Sequence, residues 1–189
     1  MDLIVQNLYK SYHGQSVLQD FSYCFPKGKT TCIMGRSGCG KTTLLNLILG
    51  LEKPDGGVIQ GNQEPMAAVF QKDRLCRNLT VQANIRLVNK RLSDEKIREL
   101  LKAMELEETW DKKAGELSGG MCRRTAIARA LAADRSCILM DEPLSGLDPK
   151  TRERVLDSIR EYTKGRTLLF VTHERLDGEA LDADKILEM

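Results

Sequence analysis

The stretch Gly35-Arg36-Ser37-Gly38-Cys39-Gly40-Lys41-Thr42-Thr43 limits what this chain can fold into more than any other. It has the spacing G-x-x-x-x-G-K-T. It comes after the apolar run Thr31-Cys32-Ile33-Met34 and opens a second, from Leu44 to Leu49. A strand that runs through a glycine loop into a helix is the setting in which this pattern binds phosphate. Glycines let the backbone turn tightly and aim several N–H groups into one concavity, which suits an oxyanion. The next helix points its positive end at the same place. Lys41 adds a mobile charge for the β- and γ-phosphates, and the Thr42 hydroxyl is placed to ligate Mg²⁺. The competing reading is an ordinary glycine turn before a helix, and the flanking apolar runs weigh against it.

With 189 residues the chain suits a single α/β domain, 1–189, with a small inserted subdomain. Lys and Arg number 29 against 27 Asp and Glu, so no bulk charge draws it to nucleic acid or to a membrane surface. No apolar run approaches the length of a bilayer span, and the N-terminus lacks a signal-peptide pattern. Any link to a membrane is therefore expected to run through a partner. The cysteines (Cys24, Cys32, Cys39, Cys76, Cys122, Cys137) form no C-x-x-C pair, which argues against zinc. Several lie in apolar runs, as buried reduced thiols do, and point to a reducing cytosol.

In chain order, 3–12 and 16–25 read as strands around a turn at His13-Gly14-Gln15. Tyr12 has two readings, a ring that stacks on a base or one that lies on the sheet. Residues 41–50 read as a helix ended by glycine, 54–57 as a turn and 58–60 as a short edge strand. Residues 67–70 read as a buried strand. Gln71 after it either faces a ligand crevice at the strand's carboxyl end or is a plain loop residue. From 72 to 116 charge density rises and strand signals stop. Ser93 is expected to cap a helix to about Met104, with Ile97, Leu100, Leu101 and Met104 on one face. This segment and the helix after it, about 72–133, are expected to form a small helical subdomain.

Leu117-Ser118-Gly119-Gly120-Met121 opens that later helix. Ser118 suits its N-cap, and Gly119 and Gly120 at its start make a second anion site. Arg123, Arg124 and Arg129 read as a solvated basic face. Cys137–Met140 has the unbroken apolar character of a buried parallel strand, ending in Asp141-Glu142-Pro143. At that strand's carboxyl end Asp141 suits Mg²⁺, and Glu142 suits general-base work on water; two ordinary loop acids are the other reading. Asp148 caps a helix that starts at Pro149 and stops at Gly165. Thr167–Thr172 is another buried strand with His173 at its end. Residues 174–181 read as helical and 185–189 as a last strand.

In this order the motifs resemble the ATP-binding cassette ATPases over the whole chain: Tyr12, the loop 35–43, Gln71, 117–121, 138–142 with 145–148, and His173. The resemblance implies a phosphate-loop NTPase core with a mixed, mainly parallel sheet, an N-terminal antiparallel β-subdomain and the helical insert. It also implies ATP and Mg²⁺ as cofactors. Tyr12 would stack on adenine, and Gly35, Arg36, Ser37, Gly38, Cys39, Gly40, Lys41, Thr42 and Thr43 would wrap the phosphates. Thr42, Gln71 and Asp141 would serve the metal. Glu142 would polarise water, with His173 on the γ-phosphate. Ser118 and Gly120, with Gly119 and Asp148, would meet ATP held by a second copy in a head-to-tail dimer.

The partners so implied are an integral membrane permease and a solute-binding protein, with this chain cytoplasmic and peripheral on the inner face of the membrane. Met121 stands where glutamine is commonest, a version resembling importers of the nitrate, sulfonate and taurine type. The segment 41–71 and the insert look shortened, and no further domain is expected after the last strand. The alternatives are a soluble cassette ATPase not tied to transport, and an exporter or lipoprotein-release motor.

Overall fold

The computed structural model describes residues 1–189. The hairpin comes first. Strand β1 (Leu3–Tyr12) pairs antiparallel with β2 (Gln15–Phe25), and Tyr12 faces Gln15 across a loop of His13 and Gly14. Both loop residues have positive φ, 50° and 80°. That is the backbone twist a two-residue hairpin needs, so the turn is one residue tighter than the sequence suggests. Strand β4 (Gly56–Gln60) joins the other side of β1, giving the order β2-β1-β4. The glycines read as part of a turn thus lie in a strand. The backbone of β1 bulges toward them at Asn7, and a Cβ on Gly57 would stand 2.2 Å from the Asn7 carbonyl oxygen.

The second sheet holds β5 (Ala67–Val69), β6 (Cys137–Asp141), β7 (Thr167–Val171), β3 (Thr30–Met34) and β8 (Lys185–Glu188), side by side in that order. Every pairing in it is parallel, and the antiparallel pairings are gathered in the first sheet. Alternate residues serve two cores. Ile138, Met140, Leu168 and Phe170 enter one; Leu139, Leu169 and Val171 enter the other. This is why β6 and β7 read as unbroken apolar runs. The second core also takes Leu44, Leu45, Leu47 and Ile48 of helix α1 (Lys41–Ile48) and Leu3, Val5, Leu8 and Phe25 of the hairpin. The phosphate-loop helix is therefore pinned between the two sheets.

The first core is covered by helices α2 (Val81–Arg86), α3 (Asp94–Ala103), α4 (Gly119–Ala132) and α5 (Pro149–Tyr162). Three of these starts match the sequence cues: Ser93, Ser118 and Asp148 accept from the backbone N–H three residues on, at 3.3, 3.3 and 3.1 Å. Helix α2 has the same kind of cap, at Thr80, but no period in the sequence pattern to mark it. It is one and a half turns long, too short to show one. Helix α6 (Arg175–Ala180) precedes β8.

Candidate functional site

Because β5, β6, β7 and β3 are parallel neighbours, their carboxyl ends line one edge. Just beyond those ends stand, in order, Gln71, Asp141-Glu142, Thr172-His173 and the loop 35–43. With about 4.8 Å between strands, the row spans roughly 14 Å. Lys41 is 5% exposed, and its Nζ donates to the carbonyl oxygens of Gly35 at 2.8 Å and Arg36 at 2.9 Å. Gly40, with φ 107°, starts α1 where a Cβ would meet Val17 and Leu18 at 3.0–3.2 Å. The tips Arg36, Ser37 and Gly38 are exposed, as is Thr42, while Cys39 and Thr43 are half-buried.

Thr42 Oγ1 donates to Asp141 Oδ2 at 2.7 Å. A hydroxyl beside a carboxylate is a hard-oxygen donor set. No cluster of three or more His, Cys, Asp or Glu residues able to hold a metal occurs in the chain. That combination fits Mg²⁺, which keeps waters and shares phosphate oxygens, and does not fit a closed all-protein cage. Asp141 is 4% exposed, and burial pushes its carboxyl above the ordinary 3.8. The Thr42 hydrogen bond pulls it back, and neighbouring Glu142 pushes it further up. The folded value lies above the unfolded one. The neutral acid's contribution to stability is therefore full below the unfolded value and lost as pH rises through the folded one. At neutral pH the buried charge is a cost that Mg²⁺ would offset. Asp141→Asn should raise the melting temperature in EDTA near neutral pH, by about 2–4 °C for each kcal/mol of relief. The gap should close as pH falls below the ordinary carboxylate range, where the wild-type carboxyl is protonated in both states. Hydrolysis of nucleotide should be lost. A lower melting temperature at every pH would show that the Thr42 bond outweighs burial.

Glu142 has φ 47°, in the left-handed region that a non-glycine residue enters at a cost, and its N–H donates to the Val171 carbonyl at 3.0 Å. That turn swings its side chain to the next strand end, where Glu142 Oε1 lies against His173 Nε2. Around His173 lies a buried network that the sequence pattern does not announce. Asp177 accepts from Thr172 Oγ1 and from the Arg152 guanidinium at 2.7–3.0 Å, and Thr172 Oγ1 in turn accepts from the Glu174 N–H at 3.1 Å. Only an arginine near one helix start and an acid in the next helix hint at it, and that pattern is common.

Tyr12 is 36% exposed. Its hydroxyl donates to Glu52, which also accepts from Asn46 of α1 at 3.0 Å. The ring is thus held beside the phosphate-loop helix. Lys10 Nζ lies 5.3 Å from its centroid. Gln71 is exposed. Ser118 and Gly119 are exposed at the start of α4, and a Cβ on Gly120 would lie 3.6 Å from Leu147 in the 145–148 loop. Asp148 is spent on capping α5, and its bonds to Thr151 hold its carboxyl below the ordinary range. The loop 117–121 shares no hydrogen bond with 35–43.

The basic face reading fails. Arg123 donates to the Phe70 and Gln71 carbonyls, Arg129 to those of Asp73 and Arg74, and Arg124 to those of Gly120, Met104 and Glu105. Past Gly119, no residue of α4 is exposed. The helix is alanine-rich and without acids, and its arginines lie half-buried against neighbouring backbone carbonyls rather than on a solvated face.

A family model described as "ABC transporter" matches residues 18–145. An aliphatic sulfonates import ATP-binding protein of Agrobacterium fabrum is 39% identical over 196 residues, covering 99% of this chain and 75% of its own length. A spermidine/putrescine import ATP-binding protein of Fusobacterium nucleatum is 35% identical over 207 residues, covering 100% of this chain and 54% of its own. The chain thus spans about half the length of such relatives. The dimeric structure of a bacterial ABC transporter cassette superposes with TM-score 0.87 at 30% identity, covering 99% of this chain and 94% of that one. Its two-sheet core, its loop 35–43 and the row of polar side chains along one strand edge agree with those matches: the chain belongs to the ABC transporter family.

Proposed function

We propose that this chain is an Mg²⁺-dependent ATPase subunit that powers a membrane importer for a small solute. One observation carries the chemistry: the Lys41 loop, the Thr42–Asp141 pair and the Glu142–His173 pair stand along one sheet edge within reach of a single triphosphate. Loop N–H groups and Lys41 bind and orient the β- and γ-phosphates. Tyr12 packs on the adenine. Glu142 takes the proton of the water that attacks the γ-phosphorus, and ADP leaves in line. Mg²⁺, held by Thr42 and Asp141 and near Gln71, would neutralise charge on the phosphates. His173 keeps Glu142 aimed and reaches the γ-phosphate.

Ser118, Gly119 and Gly120 suit the phosphate of a second nucleotide, held by another copy of the chain. The relatives named above are import ATP-binding proteins, which favours import over the export and non-transport alternatives. The transported solute is not written in residues that never touch it. The helical part, taken as about 72–133, supports a permease partner. No helix here is long and apolar enough to cross a membrane. A groove of about 670 Å³ runs between Leu49, Leu51, Met66 and Phe70 on one side and Leu87 and Val88 on the other. Leu51, Leu87 and Val88 are 53, 51 and 38% exposed. An apolar-faced segment of the permease, at the inner face of the membrane, suits it.

Leu87→Glu with Val88→Glu should abolish solute uptake by the assembled transporter. The purified variant should still release phosphate from ATP with Mg²⁺ and stop in EDTA. A chain that releases no phosphate would overturn the ATPase reading; unaffected uptake would overturn the docking.

A further inference from the structure

The side chain of Gln71 is exposed and makes no hydrogen bond, so its place is set by the backbone that carries it. That backbone, residues 70–74, lies past the end of β5 and before α2, and none of its carbonyls has a backbone partner. Side chains of α4 take four of the five instead, all but that of Lys72. Arg123 spans two, donating to the Phe70 oxygen at 2.8 Å and the Gln71 oxygen at 2.5 Å. Arg129 spans the next pair, the Asp73 oxygen at 3.1 Å and the Arg74 oxygen at 3.0 Å. The Asp73 carboxylate closes the set, 3.1 Å from the Arg123 guanidinium, and the Arg74 guanidinium lies 3.8 Å from the Phe70 ring centre. The Arg123 side chain is 11% exposed, so water does not compete freely for these bonds.

The same helix begins at Ser118. Five residues of helix place Arg123 about 7.5 Å along the axis from that anion loop, on one rigid element. A planar guanidinium that bridges two carbonyls tolerates little change in its distance from either. Any shift of α4 therefore moves the backbone of Gln71 with it.

We infer that Arg123, seconded by Arg129, is a positioning residue for Gln71: it ties the helix that opens at Ser118 to the segment that faces the chain's own nucleotide. The inference rests on the proposed role of Gln71 at Mg²⁺. In a dimer that shares its sites, phosphate from the other copy's ATP settles on Ser118–Gly120, and the arginine fork transmits the seating of α4 to Gln71. Each site is thereby made ready by occupation of the other.

The test compares Arg123→Ala, Arg123→Lys, Gln71→Ala and the Gln71→Ala/Arg123→Ala double variant for kcat, KM for ATP and melting temperature. A misplacement of about 1 Å can cost about 100-fold in rate, so Arg123→Ala should lower kcat by about 10- to 100-fold. KM should stay within about 3-fold, since the loop 35–43 and Tyr12 are untouched. Arg123→Lys keeps the charge toward Asp73 but loses the planar fork that fixes the Phe70 and Gln71 carbonyls in one geometry, and should fall between. The double variant should be no slower than Gln71→Ala alone, because the arginine acts through the glutamine. A merely structural arginine would lower the melting temperature and leave kcat unchanged below it. That result, or losses that add in the double variant, overturns the inference while the Gln71 reading stands. Wild-type kcat in Gln71→Ala would overturn both. Should Arg123→Ala fail to fold, Arg123→Lys decides: a reduced kcat at unchanged KM supports the inference, and wild-type kcat overturns it.

Discussion

Glu142→Gln should bind ATP as the wild type does and turn it over about 100-fold more slowly, or worse. The substitution is close to isosteric, and its amide oxygen can occupy the place of Oε1 beside His173 Nε2, so the geometry of the site should survive. What disappears is the carboxylate proposed to take a proton from water. The left-handed backbone at φ 47° remains and carries Gln as it carries Glu. Nucleotide binding and phosphate release on the same preparation separate the two effects. Turnover at the wild-type rate would remove Glu142 from its role. Weak binding together with slow turnover would show that the side chain also shapes the site. Because hydrolysis ends the ATP-bound state, this variant should accumulate it, which the second test uses.

A covalent dimer should form, dependent on ATP, when Leu117→Cys is combined with Cys39 in the Glu142→Gln background. Within one chain the two anion loops sit on different bodies. The loop 35–43 lies between the sheets, 117–121 begins a helix of the other core, and no hydrogen bond joins them. Two phosphate-suited loops that do not meet in one molecule can meet around a twofold axis, 35–43 of one copy against 117–121 of the other. The resident thiols allow a clean design. Cys32 is buried and pushed up to about 11, and Cys137 is pushed up to about 12, both by burial, so neither is an apt nucleophile at neutral pH. Cys24 and Cys76 are exposed and must be replaced, and Cys122 with them.

A disulfide requires the Cα atoms within roughly 7 Å, so the band reports contact. It should appear on a non-reducing gel only with ATP, and vanish when either thiol is removed. A link confined to one chain, or a dimer that persists without either thiol, would refute the shared site.

The local chemistry of this protein was legible in its residues because it is local. A glycine loop between two apolar runs, acids directly after a buried strand, and Ser93, Ser118 and Asp148 at helix starts each depend on neighbours within a few positions. Backbone geometry turns such spacing into structure without help from the rest of the fold. Unbroken apolar runs at 137–140 and 167–171 likewise marked strands covered on both faces. Helix α2 escaped because six residues are too few for a period.

Contacts between distant segments had no such signal. That Glu142 faces His173, and Thr42 faces Asp141, is settled only once β6, β7 and β3 lie side by side, an order fixed by packing and not by chain order. The arginines of α4 show the limit most clearly. A basic cluster of that composition belongs on a wet surface by its solvation energy, and sequence had no reason to place it elsewhere. The fold left no residue of that helix past Gly119 fully exposed, and left the carbonyls of 70–74 without backbone partners. Arg123 and Arg129 were the side-chain donors within reach of four of them. Residue types and their spacing mark which groups suit phosphate, metal and water. Packing set which of them share an edge and brought Arg123 to the Gln71 carbonyl, because those contacts join segments some 50 residues apart.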